Sequence, residues 1–385
     1  MTSSPGRRRV ALAGAAVLSI AILVLLVGRE RRSSDREAPS AGHPVAGPGA
    51  EKPALEGASA APLGKRWEKD EVPMPGCWPS LRDFDRAATL EDLLGAIGAV
   101  GGQDVLLAGY LQERLTELIG GDAGRARAVL ASARSASGPE LEILLAALKA
   151  APAVRDPSIA EGLLAMGEDD TGSPDLRSRA LDALETQHRF DEPTMGRLKA
   201  IALDERSDAA AWMATRTLGR VMNADFERTG SYAPYWKELL AIGRESEETA
   251  VQLLALEMPS YADPVLEEDS IDDLVKLLRE DPDRNVREMA AHRLSVTRSP
   301  DKVLEVYRAA FPAEQDECVR WAIFRFAVRV AGGGSLPLLA ELAAIDPRFE
   351  PDRQDFAALY AAGAVDFSRV WLGKTERHQC LGAEE

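Results

Sequence analysis

Two ladders of apolar residues run through this chain with one period, and that period constrains the fold more than any other feature. Val129, Leu163, Leu198, Leu239, Leu274, Leu304 and Leu339 are separated by 34, 35, 41, 35, 30 and 35 residues. Ala146, Ala180, Ala214, Ala250, Ala290, Ala322 and Ala357 are separated by 34, 34, 36, 40, 32 and 35. A period of that length accommodates a helix, a turn and a second helix, and such a hairpin buries its apolar side only against its neighbours. The Leu and Val rungs mark first helices. The Ala rungs mark second helices, whose small side chains permit close approach. An all-α fold of about eight helical hairpins is therefore expected.

The clearest unit runs from Ser270 to Leu294. Ile271, Leu274, Val275 and Leu278 recur at helical spacing, and Val286, Met289, Ala290 and Leu294 nearly repeat the pattern. Pro282 lacks an N–H and ends the first run, while Ser270 with Asp273 three residues on predicts a capping box at its start. The string Asp281-Pro282-Asp283-x-x-Val286-Arg287-x-x-Ala290-Ala291-x-x-Leu294 resembles the HEAT-repeat family. Asp175-Leu176-Arg177, Asp208-Ala209-Ala210 and Asp316 to Arg320 keep pieces of it, so the resemblance covers roughly residues 90–365. It implies a right-handed α-solenoid, with Asp281 and Arg287 as structural residues of the repeat turn and nothing catalytic.

Ahead of the repeats the composition changes twice. Arg7, Arg8 and Arg9 precede an uncharged run from Val10 to Val27, whose helical length of about 27 Å is near the hydrocarbon thickness of a bilayer. Residues 1–9 are expected to form a short basic tail and 10–28 a transmembrane helix, an uncleaved signal anchor rather than a cleaved signal. From Ala38 to Gly64, 20 of 27 residues are Ala, Pro, Gly or Ser, so 29–75 reads as a flexible linker. The array is expected over 76–375, capped by Trp78, Leu81 and Phe84 at one end and by Phe367, Val370, Trp371 and Leu372 at the other; 376–385 reads as a frayed tail. These features together predict a single-pass protein of the bacterial inner (cytoplasmic) membrane, with its C-terminal body periplasmic or extracytoplasmic.

Charge and residue inventory narrow the function. Residues 1–75 hold 11 basic and 8 acidic residues, leaving 35 basic and 54 acidic from residue 76 onward, a body near −19. Nucleic-acid binding needs a basic face to displace counterions, and no basic stripe is legible. The three cysteines, Cys77, Cys318 and Cys380, lack zinc-ligand spacing, and Cys318 is expected to pack as a small apolar residue. A Cys77–Cys380 bond would require ends of an eight-hairpin stack to meet. His43, His188, His292 and His378 are scattered. No cofactor and no metal is expected. Gly332-Gly333-Gly334-Ser335 reads as a helix stop followed by a serine cap rather than a phosphate cradle, since no strand leads into it and no Lys follows.

Residues 223–235 and 257–269 account for the long gaps in the ladders and read as extended connections on one edge of the array, where repeat proteins build binding faces. Tyr232, Tyr235, Trp236 and Tyr261, beside Glu267, Glu268 and Asp269, are the candidate partner-binding residues; the competing reading is that the rings seal a repeat junction. The function expected is a membrane-tethered scaffold that presents an acidic surface to membrane-proximal protein partners. A structural envelope spacer, or an all-α hydrolase using a carboxylate pair, are the alternatives; no pair is fixed at a catalytic separation, so no enzyme is expected.

Overall fold

The computed structural model describes residues 89–100, 105–204, 208–258 and 268–363, together with His378 and Cys380. The chain divides into two units, Met1–Ala87 and Ala88–Glu385, and every described residue belongs to the second. The expected tail at 1–9, span at 10–28, linker at 29–75 and opening cap at Trp78, Leu81 and Phe84 therefore lie outside the described residues, as do Cys77 and the closing cap at Phe367 to Leu372.

Among the described residues sixteen α-helices form eight consecutive hairpins. They are α1 (Leu90–Val100) and α2 (Val105–Ile119), α3 (Ala123–Ala133) and α4 (Gly138–Ala150), α5 (Pro157–Glu168) and α6 (Pro174–Leu184), and α7 (Glu192–Ala202) and α8 (Asp208–Thr229). The second half holds α9 (Tyr235–Glu245) and α10 (Thr249–Glu257), α11 (Glu268–Glu280) and α12 (Arg284–Leu294), α13 (Pro300–Ala310) and α14 (Glu317–Ala331), and α15 (Leu336–Ile345) and α16 (Glu350–Ala361). Odd helices pack on the next odd helix from α1 to α15, and even helices on the next even one from α2 to α14. The fold is all-α, with extensive helix–helix packing in two layers, as in a helical solenoid.

Local chemistry explains where the helices start. Asp122, Asp156 and Asp191, at intervals of 34 and 35 residues, each accept a backbone N–H at the head of α3, α5 and α7. Ser173, Asp283 and Asp316 do the same for α6, α12 and α14. These are the orphan donors that every helix start must satisfy. The capping box expected at Ser270 does not form: α11 begins two residues earlier, and the Ser270 hydroxyl accepts from the Trp236 indole at 3.0 Å. Ser335 makes no side-chain cap either. Gly332 ends α14 at φ +54°, and the Ser335 hydroxyl donates back to its carbonyl at 2.7 Å.

The core between the layers follows the ladders with shifts. Val129, Leu163, Leu198, Leu239, Leu274 and Leu339 are fully buried, as are Ala180, Ala214, Ala290 and Ala322. At four rungs an adjacent residue is buried instead: Val303 for Leu304, Ala147 for Ala146, Val251 for Ala250 and Phe356 for Ala357. One residue turns a helix face by about 100°, so the inward stripe, such as Val303 with Tyr307 one turn on, decides which rung is used. The expected extended connection at 223–235 is also revised. Helix α8 runs for 22 residues to Thr229, because nothing in Asn223 to Thr229 breaks it before Gly230 at φ +70°.

The membrane part of the expected fold is overturned. Among the described residues the stretch with the length and mean hydropathy for a span is Glu317–Ile345, 29 residues at 1.3, in the C-terminal part of the sequence and not at its start. An N-terminal single-pass signal anchor with a wholly exported C-terminal body at the inner membrane does not fit, because the apolar helix lies within that body. The stretch is also divided by Gly332–Ser335, and its first part is core: Trp321, Phe324 and Phe326 are buried. By length and composition alone it is compatible with a membrane-associated helical scaffold.

Cys318 does not simply pack as an apolar residue. It is bonded to Cys380, with Cα atoms 5.3 Å apart and a separation of 62 positions in sequence. The expected frayed tail thus contributes two buried residues, His378 and Cys380, to the last two hairpins. Cys380 lies less than two repeats beyond Cys318 in sequence, so this bond does not require the ends of the stack to meet.

Candidate interaction face

The Tyr and Trp residues singled out in the sequence occupy the joint between the fourth and sixth hairpins. Tyr235 opens α9, and its hydroxyl accepts the backbone N–H of Phe190 at 2.8 Å, across 45 residues of sequence. Burial raises the Tyr235 pKa above its ordinary value, keeping the phenol neutral. Tyr232 stacks on Phe226 with ring centroids 4.0 Å apart. Trp236 donates to Ser270, tying α9 to α11. All three rings are buried, so they face the joint and not solvent. Tyr261 and Glu267 lie outside the described residues. Glu268 and Asp269 form the first turn of α11, but their side chains are also outside the described set.

Asp281 and Arg287 come together at the turn between α11 and α12. The Arg287 guanidinium donates to the carbonyls of Asp281 and Pro282 at 2.9 and 3.2 Å. One Asp281 carboxylate oxygen accepts the Asp283 N–H at 2.9 Å, and Asp283 in turn caps α12 and accepts from Thr249 at 3.1 Å. The turn is thus fastened to the preceding hairpin.

The even layer carries a cleft that none of the sequence candidates marks. Its volume is about 400 Å³, and it crosses α2, α4 and α6. Gln112 comes from α2, Glu142, Leu145 and Lys149 from α4, and Arg179 and Asp182 from α6. Lys149 donates to Asp182 at 2.8 Å and to Glu185 at 2.7 Å. Arg216, on α8, meets the same two acids at 3.1 and 3.2 Å and lies over the Trp212 ring. Arg179 pairs with Asp175 at 2.8 Å and with Glu142 at 3.4 Å. Cations and acids are therefore interlaced along three repeats, over a floor of Leu145 and Ala146. The sequence signal was available: Lys149, Asp182 and Arg216 recur at 33 and 34 residues, close to the repeat period.

Chemically this face is suited to recognition. Its charges are paired with each other, and the cleft is open along three repeats. No group of three or more His, Cys, Asp or Glu side chains placed to hold a metal occurs among the described residues. No family model matches this chain, and neither a curated protein nor a solved structure does.

Proposed function

We propose that this chain is a HEAT-like repeat scaffold, a binder rather than an enzyme, which takes a basic segment of a partner protein along its even-helix face. The cleft across α2, α4 and α6 is the observation that carries this reading, because it joins three successive repeats into one surface. The excess of acidic over basic residues beyond position 75 sets the sign of the partner. Glu267, Glu268 and Asp269, with Tyr261, are proposed on the sequence alone as further contacts for such a segment. Tyr232, Tyr235 and Trp236 would then act by fixing the spacing of the repeats behind that surface.

A photo-crosslinking residue placed at Thr186, beside the cleft, should trap a partner that one at Glu161 on α5 does not. The Thr186 adduct should be lost in about 0.5 M salt, where the Debye length is below 5 Å, and in an Asp182→Lys chain. Equal trapping from both positions, or adducts indifferent to salt and to Asp182, would refute the proposal.

A further inference from the structure

His378 occupies a slot that has the parts of a binding site. Its ring lies against Trp321, with centroids 4.6 Å apart and planes 27° apart, and against Phe349, at 4.8 Å and 15°. Nε2 is 2.8 Å from a carboxylate oxygen of Asp352, and Nδ1 is 3.1 Å from one of Glu317. Asp352, Trp321 and Phe349 are fully buried. An imidazole bonded to a carboxylate through each nitrogen is a double donor, which is the imidazolium form. Burial by itself favours the neutral ring, but the hydrogen bonds to Asp352 and Glu317 outweigh it and hold the pKa above its ordinary value.

Each component has a reason to recognise a flat cation. Aromatic faces attract positive charge, and two carboxylates on opposite edges orient a planar group with N–H donors at both ends. The slot is formed by α14, α16 and the turn holding Phe349; the chain supplies the occupant from a residue beyond the last hairpin. Two positions past His378, Cys380 is bonded to Cys318 on α14, the helix that also carries Glu317 and Trp321. The occupant is thus held in place by a bond that redox chemistry can open.

We propose that the Trp321–Phe349 slot is a recognition site for a planar cationic side chain, filled by the chain's own His378 while the Cys318–Cys380 bond is closed and vacated when a dithiol reductant opens it. In that step the S–S bond breaks and each cysteine sulfur becomes a thiol. The reductant supplies the two electrons and two protons as its own sulfurs join into a disulfide. A basic side chain of a partner then competes for the place of His378. This goes beyond the scaffold reading and uses residues of the last two hairpins, so the cleft across α2, α4 and α6 can fail its test without deciding this one.

The test uses the full chain and two readouts. With the wild-type protein, treatment with a dithiol should speed hydrogen exchange in peptides from 317–331 and 350–361 by roughly tenfold or more, leaving the first six hairpins unchanged. No change there, or loosening of the whole array, would overturn the proposal. With His378→Gly, free imidazole should refill the slot and raise Tm by a few degrees in a saturable manner. Pyrazole, a ring of the same size that stays neutral, should not. Equal stabilisation by both rings, or by neither, would also overturn it. If His378→Gly does not fold, the exchange measurement on the wild-type chain decides.

Discussion

Arg287 and Glu314 join two successive turns of the array through a forked pair. Nε and Nη2 of Arg287 donate to the two carboxylate oxygens of Glu314 at 2.9 and 3.2 Å. One of those oxygens also accepts the backbone N–H groups of Gln315 and Asp316, both at 2.8 Å, so the acid shapes the turn that leads into α14. The device recurs. Arg320 donates to the Glu314 carbonyl at 2.8 Å and to Asp346 at 3.0 Å, and Arg177 donates to the Gly167 carbonyl at 2.9 Å with Asp204 3.8 Å away. In each case an arginine near the start of a second helix reaches back to a carbonyl before its own helix and forward to an acid 26 or 27 residues on.

Arg287→Met should therefore cost more than a surface pair would. Both partners are largely buried, at 15% and 10% side-chain exposure, and the substitution leaves the Glu314 charge with only the Gln315 and Asp316 N–H groups and removes the guanidinium from the carbonyls of Asp281 and Pro282. A loss of about 2–3 kcal/mol is expected, between the value of an exposed pair and the roughly 3–5 kcal/mol of a fully buried one, because both side chains keep some exposure and Glu314 keeps two backbone donors. Arg287→Lys should recover only part of it, because an ammonium cannot reproduce the fork. Urea unfolding of the two variants beside the wild type measures this. A result within about 0.5 kcal/mol of wild type for Arg287→Met would show the clamp to be ornamental.

Tyr235→Phe isolates one hydrogen bond in the joint between hairpins. The ring volume is kept, but the Phe190 N–H loses its acceptor in a buried setting. Unsatisfied buried donors cost about 1–3 kcal/mol. Thermal unfolding should show a lowered Tm with an unchanged far-UV helical signal at 25 °C. An unchanged Tm would mean that water reaches the Phe190 amide.

The hairpins and their number were legible because helical periodicity and repeat spacing are local in sequence. Leu274 and Ala290 could be placed in the core from their neighbours alone. The cleft was harder to see, because Lys149, Asp182 and Arg216 belong to three different helices and only packing brings them together. Tyr235 and Trp236 stand at a helix start after a long connection, where the sequence leaves open both a partner contact and the sealing of a repeat junction; their burial favours the second. What the sequence could not display was that Phe190 and Ser270, 45 residues before Tyr235 and 34 after Trp236, supply their hydrogen-bond partners. The Cys318–Cys380 bond was missed for a similar reason: it depends on the tail folding back onto α14.

Two glycines in helices should respond in opposite directions to alanine. At Gly219 in α8 an added Cβ would fall 2.6 Å from the Met258 Cβ and closer still to its Cγ and Sδ. The Met258 terminus can move, but its Cβ is fixed by the backbone, so Gly219→Ala should destabilise by about 1–3 kcal/mol. At Gly196 in α7 nothing lies within 4 Å of such a Cβ. Gly196→Ala should raise stability by about 0.5–1 kcal/mol, by lowering the freedom of the unfolded chain and favouring the helix. Paired Tm measurements check both, and equal signs would contradict the packing described for α8.

His292 gives the array an acid-sensitive element whose sign can be worked out. Its ring stacks on Phe326 at 4.5 Å, and the Arg329 guanidinium lies 2.9 Å from Nε2. Arginine can only donate, so Nε2 must accept and the ring must be neutral. Burial, with Arg293, Arg329 and Arg325 nearby, brings the pKa from 6.5 down to about 2. Below pH 6.5 the unfolded chain therefore binds a proton that the folded chain refuses. The contribution is fully present above pH 6.5 and is lost on acidification, by up to about 1.4 kcal/mol per pH unit. His378 acts in the opposite sense: its raised pKa contributes stability that is full below pH 6.5 and fades as pH rises through the folded value. Comparing wild type with His292→Phe at each pH cancels the His378 effect. The variant should lose less stability than the wild type between pH 6.5 and about 5, a span over which the His292 contribution changes by up to about 2 kcal/mol. Parallel pH profiles would show that His292 is protonated in the folded protein, and with it that Arg329 does not donate to Nε2.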